Sequence, residues 1–198
     1  MRRQRRGNSA IEMAVALPIL LMLLGATVDF SWISLTNHQL GYAARVASRW
    51  GITGQTPATP DVTTVPVAWC KGNPPNNARV TKLRQLVTES LGGIIAPSKL
   101  CISVLSYTGG YPAVGDPEPF IDTNGNKAYD TGEPFTDVNG DGSWSLDQGN
   151  QVLGVGGDVA VYELQYIAAP LTGLTPGLPA ALTFTARVVV RNEPFLTK

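Results

Sequence analysis

The pattern of apolar and polar positions changes character several times along the chain. Four arginines, Arg2, Arg3, Arg5 and Arg6, come first. Over residues 11–35 the polar positions then shrink to Glu12, Asp29 and a few small hydroxyl residues. As a helix, such a run is long enough to cross a hydrocarbon core of roughly 30 Å. The helical rhythm continues beyond it: Leu40, Ala43, Ala44, Ala47 and Trp50 fall on one face, with Arg45 and Arg49 on another. A secretory signal also has a basic start and an apolar run, but no A-x-A cleavage site follows here, and a signal has no reason to lead into an amphipathic helix. The arginines put the N-terminus in the cytoplasm and the remainder outside.

After this stalk, "GITGQTPATPDVTTVP" (51–66) reads as a Gly/Pro/Thr-rich linker. A short strand is expected over 65–70, then a turn at "GNPPNN". Over 77–91, Val80, Leu83, Val87 and Leu91 recur at helical spacing, and Gly92-Gly93 ends that helix. Strands rich in β-branched and aromatic residues follow at 100–107, 158–167 and 182–191.

The N-terminal stretches "RRGNSAIEMAVALPILLMLL" and "GYAARVASRWG" resemble the TadE-like family, minor pilins of the tight-adherence pilus, over about residues 1–51. The resemblance implies a prepilin peptidase that cuts after Gly7, leaving Asn8 as the new N-terminus and Glu12 fifth in the mature chain. Met13 stands where the family usually has an aromatic residue, and Pro18 matches its helix proline. It also implies that Glu12 pairs with a free N-terminal amine on the same or a neighbouring subunit. A lone carboxylate costs on the order of 2.5–3.5 kcal/mol at a bilayer centre and less near its edge. A simpler alternative leaves Glu12 among the headgroups beside Arg5 and Arg6. The expected fold is therefore α+β: a long transmembrane and stalk helix, then a pilin-like head with a second helix and a four-stranded antiparallel sheet. The expected divisions are a basic leader (1–7), the stalk (8–53) and an extracytoplasmic head (54–198).

Composition refines this picture at three points. Fifteen basic and fifteen acidic residues balance overall, yet residues 116–147 hold eight carboxylates against Lys127 alone. With no basic face on the body, nucleic acid is not an expected partner. Cys70 and Cys101 lie at the end and start of strand-like runs, a pair that usually bridges outside the cytoplasm. Closing that loop would stabilise the fold by about 3–4 kcal/mol. The sole histidine, His38, belongs to no catalytic motif, and neither GxSxG, HExxH nor a phosphate-binding loop is present, so no enzyme is expected.

The acidic stretch is a tandem repeat. Glu118, Pro119, Phe120, Asp122, Asn124 and Gly125 return fifteen residues later as Glu133, Pro134, Phe135, Asp137, Asn139 and Gly140. Calcium takes six to eight oxygens, which a turning loop offers from alternate residues. The first copy sets Asp122, Asn124, Asn126, the Ala128 carbonyl, Asp130 and Glu133 in that register. The second offers Asp137, Asn139, Asp141, Ser143 and Asp147, and lacks a closing glutamate. Lys127 replaces the glycine of the sharp turn. The register resembles dockerin and thrombospondin type 3 calcium loops, implying an insert at 116–148 with calcium as a structural cofactor. The alternative is a solvated acidic loop with Asn-Gly turns.

Two functions fit these features. One is a minor pilin or pseudopilin, with other pilin subunits, the assembly platform and the peptidase as partners. The other is a single-pass membrane-anchored binding module that keeps Gly7 uncut and uses the repeat against a surface ligand. A secreted hydrolase fits poorly.

Overall fold

The computed structural model describes residues 3–57, 67–70 and 77–194. Helix α1 (Arg3–Gly51) is one uninterrupted rod of 49 residues, Pro18 included, about 74 Å long. Along residues 10–24 every position is exposed. From Gly25 onward one face is covered, and Leu40, Ala43, Ala44 and Ala47 are fully buried. Small alanines let the neighbouring elements approach that face closely. Arg45 and Arg49 stay exposed on the other side.

Strand β1 (Ala68–Trp69), helix α2 (Ala78–Ser90) and strands β2 (Leu100–Tyr107), β3 (Val159–Ala168) and β4 (Leu182–Arg191) make the head. The sheet runs in the order β1-β2-β3-β4. The two long pairings are antiparallel, with Cys101 opposite Gln165 and Glu163 opposite Arg187. β1 pairs with β2 in parallel, so the sheet is mixed and not wholly antiparallel as the strand pattern suggested. The cause is α2: a helix between two neighbouring strands carries the chain back to its starting end, and the second strand then runs alongside the first. Of the strand expected at 65–70, positions 65 and 66 lie outside the described residues, as do 58–66 of the linker and most of the turn at 72–77.

Asn77 caps α2 by accepting the Val80 amide at 2.9 Å. Gly92 (φ 59°) and Gly93 (φ 77°) end it in the left-handed region. Val80, Leu83, Val87 and Leu91 turn inward against α1 and the sheet. The core is completed by Ile102, Val104, Ala160, Tyr162, Leu164 and Phe184. β3 is buried on both faces over much of its length, because Tyr107, Ala113 and Val161 form a second small cluster on the far side. Cys70 and Cys101 form a disulfide, with Cα atoms 4.9 Å apart, that ties β1 to β2.

The C-terminal end of α1 is locked into the head. Arg79 of α2 donates to the Gly51 carbonyl at 3.4 Å, where a cation suits the helix dipole. The amide of Glu193, just past β4, donates to the Ile52 carbonyl at 3.0 Å. Gln39 donates to the Ser90 carbonyl at the end of α2. The Tyr162 hydroxyl fills the space beside Gly51: a Cβ there would meet it at 1.8 Å.

Candidate functional site

Two regions carry the residues singled out by sequence: the first turns of α1, and the repeat between β2 and β3. Gly7 and Asn8 lie within the helical rod, and their immediate surroundings fall outside the described side chains. Glu12 is exposed on α1 at the start of the bare apolar stretch. That stretch presents Ile11, Met13, Val15, Leu17, Ile19 and the run 20–24 to the outside. One 18-residue window of the helix reaches a mean hydropathy of 2.2 with 6% of it buried, enough to cross a membrane by length and composition.

The repeat folds as two loops facing each other. Phe120 and Phe135 form an antiparallel bridge, with the Ile121 amide donating to the Pro134 carbonyl and the Thr136 amide to the Pro119 carbonyl, both at 2.8 Å. Four aromatic rings fill the seam. Tyr129 stacks on Trp144 at 4.5 Å and 12°, and Phe120 meets both edge-on at 5.8 Å. Phe135 meets Tyr129 edge-on at 5.9 Å.

Each loop winds around its first aspartate in the same way. Asp122 accepts the amides of Gly125 (2.7 Å), Asn126 (3.2 Å) and Lys127 (2.8 Å). Asp137 accepts those of Gly140 (2.7 Å), Asp141 (3.2 Å) and Gly142 (2.9 Å). Asn124 accepts from the Asn126 amide and Asn139 from the Asp141 amide. Asn126 accepts from the Ala128 amide and Asp141 from the Ser143 amide. In the first loop the Asn124 and Asn126 side-chain amides both donate to Oδ2 of Asp130, at 2.6 and 2.7 Å.

The closing glutamates are exchanged between the copies. Glu133, in the EPF segment of the second copy, closes the first loop by accepting the amides of Thr123 (2.8 Å) and Asp130 (3.0 Å). Glu118, in the EPF segment of the first copy, closes the second loop on the amides of Val138 (2.8 Å), Asn139 (3.2 Å) and Ser145 (3.0 Å). Thr123 and Val138 are fifteen residues apart, as are Asp130 and Ser145. The second loop thus has a buried glutamate at its closing position, supplied from upstream. Asp147 does a different job: its Oδ1 accepts from the Tyr107 hydroxyl at 2.8 Å and the Gly149 amide at 3.0 Å, fastening the insert to β2. The bridge between Ser106 and Asn150 and the bond from the Gln148 amide to the Asp116 carbonyl close the neck.

Charge follows these contacts. The Lys127 amide, above all, holds the Asp122 carboxyl below the usual carboxylate range, and the amides of Asp130 and Thr123 do the same for Glu133. Burial pushes the Tyr107 hydroxyl well above its ordinary value, and the bond to Asp147 adds to it. Among the described residues no three His, Cys, Asp or Glu side chains converge as a metal centre. Calcium takes hard oxygen donors. In the first loop the side-chain amide nitrogens of Asn124 and Asn126 turn toward Asp130, while their oxygens, like those of Asp122 and Glu133, accept from backbone amides.

Sequence reasoning placed Glu118 only as a repeat member and gave Asp29 no part. Asp29 is fully buried and accepts the Thr172 amide (2.7 Å), the Thr172 hydroxyl (2.7 Å) and the Thr175 hydroxyl (2.6 Å). Its partners lie more than 140 residues away, in the loop joining β3 to β4.

The apolar rod with a glutamate at its head agrees with one outside comparison. Residues 7–49 match the family model of TadE-like protein. The match begins at Gly7, covers nearly all of α1, including the part buried in the head's core, and ends before the sheet and α2. No curated protein and no solved structure matches the chain.

Proposed function

We propose that this chain is a minor pilin or pseudopilin of the tight-adherence type, stored in the cytoplasmic membrane and handed to a pilus. The division of α1, nearly all of which matches the TadE-like model, carries the reading: residues 10–24 are bare and apolar with Glu12 at the edge, while the second half is buried under a mixed sheet. A helix built this way holds a head outside the membrane and offers its bare half either to lipid or to other stalks. The hydroxyls of Thr27 and Ser31 bond back to the carbonyls of Leu23 and Thr27 at 2.8 and 2.7 Å, which suits a helix surrounded by apolar groups.

In this reading a prepilin peptidase removes residues 1–7, Asn8 becomes the N-terminus, and Glu12 neutralises a neighbouring subunit's amine during assembly. The partners are other pilin subunits and the assembly platform. Residues 54–198 form the extracytoplasmic head. Its insert, 116–148, takes calcium as a structural cofactor: Asp122, Asn124, Asn126, the Ala128 carbonyl, Asp130 and Glu133 serve the first loop, and Asp137, Asn139, Asp141 and Ser143 the second. The ion would offset repulsion among carboxylates that are otherwise held by backbone amides and by the side chains of Thr123, Asn124, Asn126 and Ser145.

The deciding measurement is the intact mass of the protein purified from its native membrane. A species beginning at Asn8 with the apolar run retained is expected. A species beginning at Met1 would favour the permanently anchored binding module, and one beginning beyond Gly25 would mean a cleaved signal and remove the pilin reading.

A further inference from the structure

Between Glu163 and Arg187 the chain carries no charged residue, although 15% of all its residues are charged. The middle of that interval is the loop joining β3 to β4, residues 169–181, built from Leu, Pro, Gly, Thr and Ala. Leu171 and Leu174 are 61% and 55% exposed, and Ile167 at the loop's entry is 54% exposed. The loop meets α1 at the level of Gly25 and Asp29. Leu174 lies so close to Gly25 that a Cβ on the glycine would meet its Cβ at 2.8 Å. Thr172 and Thr175 enclose Asp29 with three hydrogen bonds. On α1 beside it, Val28 and Phe30 are exposed as well.

The length of the bare helix fixes where this level falls. Residues 10–24 are exposed throughout, and at 1.5 Å per residue they span only about 22 Å. A hydrocarbon core of roughly 30 Å needs about 20 residues. Starting at Ala10, the core would end near Asp29; starting after Glu12, it would end a turn later. The outer boundary of the membrane therefore coincides with the loop. A carboxylate at that depth needs either a cation or a full set of donors, and Asp29 has the donors. Irregular backbone is not tolerated in the hydrocarbon itself, so the loop belongs in the headgroup layer.

We propose that the β3–β4 loop rests in the outer headgroup layer of the bilayer, with Leu171 and Leu174 reaching toward the acyl chains and Thr172 and Thr175 screening Asp29 from lipid. This rests on the membrane-stored state argued above. In that state the head does not swing freely on its stalk; it is seated on the membrane surface, and leaving for a filament exposes the same apolar loop to a neighbouring subunit.

The test uses the full chain in phosphatidylcholine vesicles with its native disulfide intact. A fluorophore is placed at Leu171→Cys, and separately at Leu174→Cys, Leu20→Cys and Leu146→Cys. Quenching is read with nitroxides attached near the headgroup or deep in the acyl chain. The expected result is deep quenching at Leu20, shallow quenching several-fold stronger than deep quenching at Leu171 and Leu174, and neither at Leu146 in the insert. Two loop positions are used because a change at Leu174 could disturb its seat on Gly25. Quenching at Leu171 and Leu174 no greater than at Leu146, with Leu20 still quenched, overturns the proposal. Shielding of both from lipid nitroxide and aqueous iodide alike, rising with protein-to-lipid ratio, overturns it in favour of contact with a second copy. No quenching at Leu20 would instead remove the membrane reading, and the seated loop with it.

Discussion

Lys127 has a backbone that does not suit its side chain. Its φ of 64° is the one positive value outside glycine among the described residues. A residue with a Cβ gives up about 1–2 kcal/mol there. Gly142, fifteen residues on, makes the same turn at φ 77°. Both amides donate to the first aspartate of their loop, so the turn is imposed by Asp122 whatever residue occupies it. Lys127→Gly should stabilise the insert by about 0.5–1 kcal/mol, the relief of strain less the extra entropy of glycine. A higher midpoint in urea, read by the Trp144 signal, would show it; an unchanged or lower one would contradict it. Glu118 presents the opposite situation. It is fully buried and its carboxylate serves three backbone amides. Glu118→Ala leaves those donors unpaired, at about 1–3 kcal/mol each. Hydrogen exchange at Val138 and Ser145 should then accelerate at least about tenfold, the equivalent of about 1.4 kcal/mol. Thr123 and Asp130, which rest on Glu133, should keep more of their protection. Equal loss in both loops would mean that the glutamates do not act loop by loop.

The insert as an element depends on carboxylates held in their charged form. Asp122 and Glu133 have their acidity raised by backbone donors in the fold. A folded pKa below the unfolded one contributes stability that is present above the unfolded value and lost as pH falls through the folded one. With unfolded values of about 3.9 and 4.3, the insert should resist protease equally at neutral and mildly acidic pH and loosen only below about pH 4. At neutral pH, calcium should slow cleavage within 116–148 and a chelator should restore it; identical cleavage in both would remove calcium from the reading. How far such elements were legible varied with the range of their contacts. β2 and β4 begin and end where the runs of β-branched and aromatic residues placed them, because that composition is local. The parallel pairing of β1 was less accessible: the helix that causes it was legible, but a two-residue strand carries almost no pattern of its own. The fifteen-residue repeat showed both glutamates, yet the exchange of Glu118 and Glu133 depends on the copies folding back across the Phe120–Phe135 bridge. Asp29 had no signal at all, since a buried carboxylate satisfied by distant threonines looks in sequence like any polar residue in an apolar run.

At the scale of the whole molecule, α1 is one continuous rod with two different environments. Its second half belongs to the head's core and is fixed there by the Gly51 and Ile52 carbonyls, so that half cannot move without the sheet. Residues 10–24 are exposed throughout, and in the proposed reading they gain partners by entering lipid or a bundle of other stalks. Glu12 distinguishes these two destinations. In the membrane it lies at the edge of the apolar run, where a carboxylate costs less than at the centre, and replacing it should not hinder insertion. In a bundle of stalks it would be far from water, and its charge would be tolerated only beside an opposite one. Glu12→Ala is therefore expected to leave the amount of membrane-bound protein, and the protease resistance of its head, unchanged while lowering the number of pili that cells assemble. Glu12→Gln should fail in the same way, because an amide keeps the size and hydrogen-bonding capacity but cannot neutralise an amine. Normal piliation in both variants would mean that Glu12 only marks the membrane edge, and the anchored binding module would then account better for a head that never needs to leave.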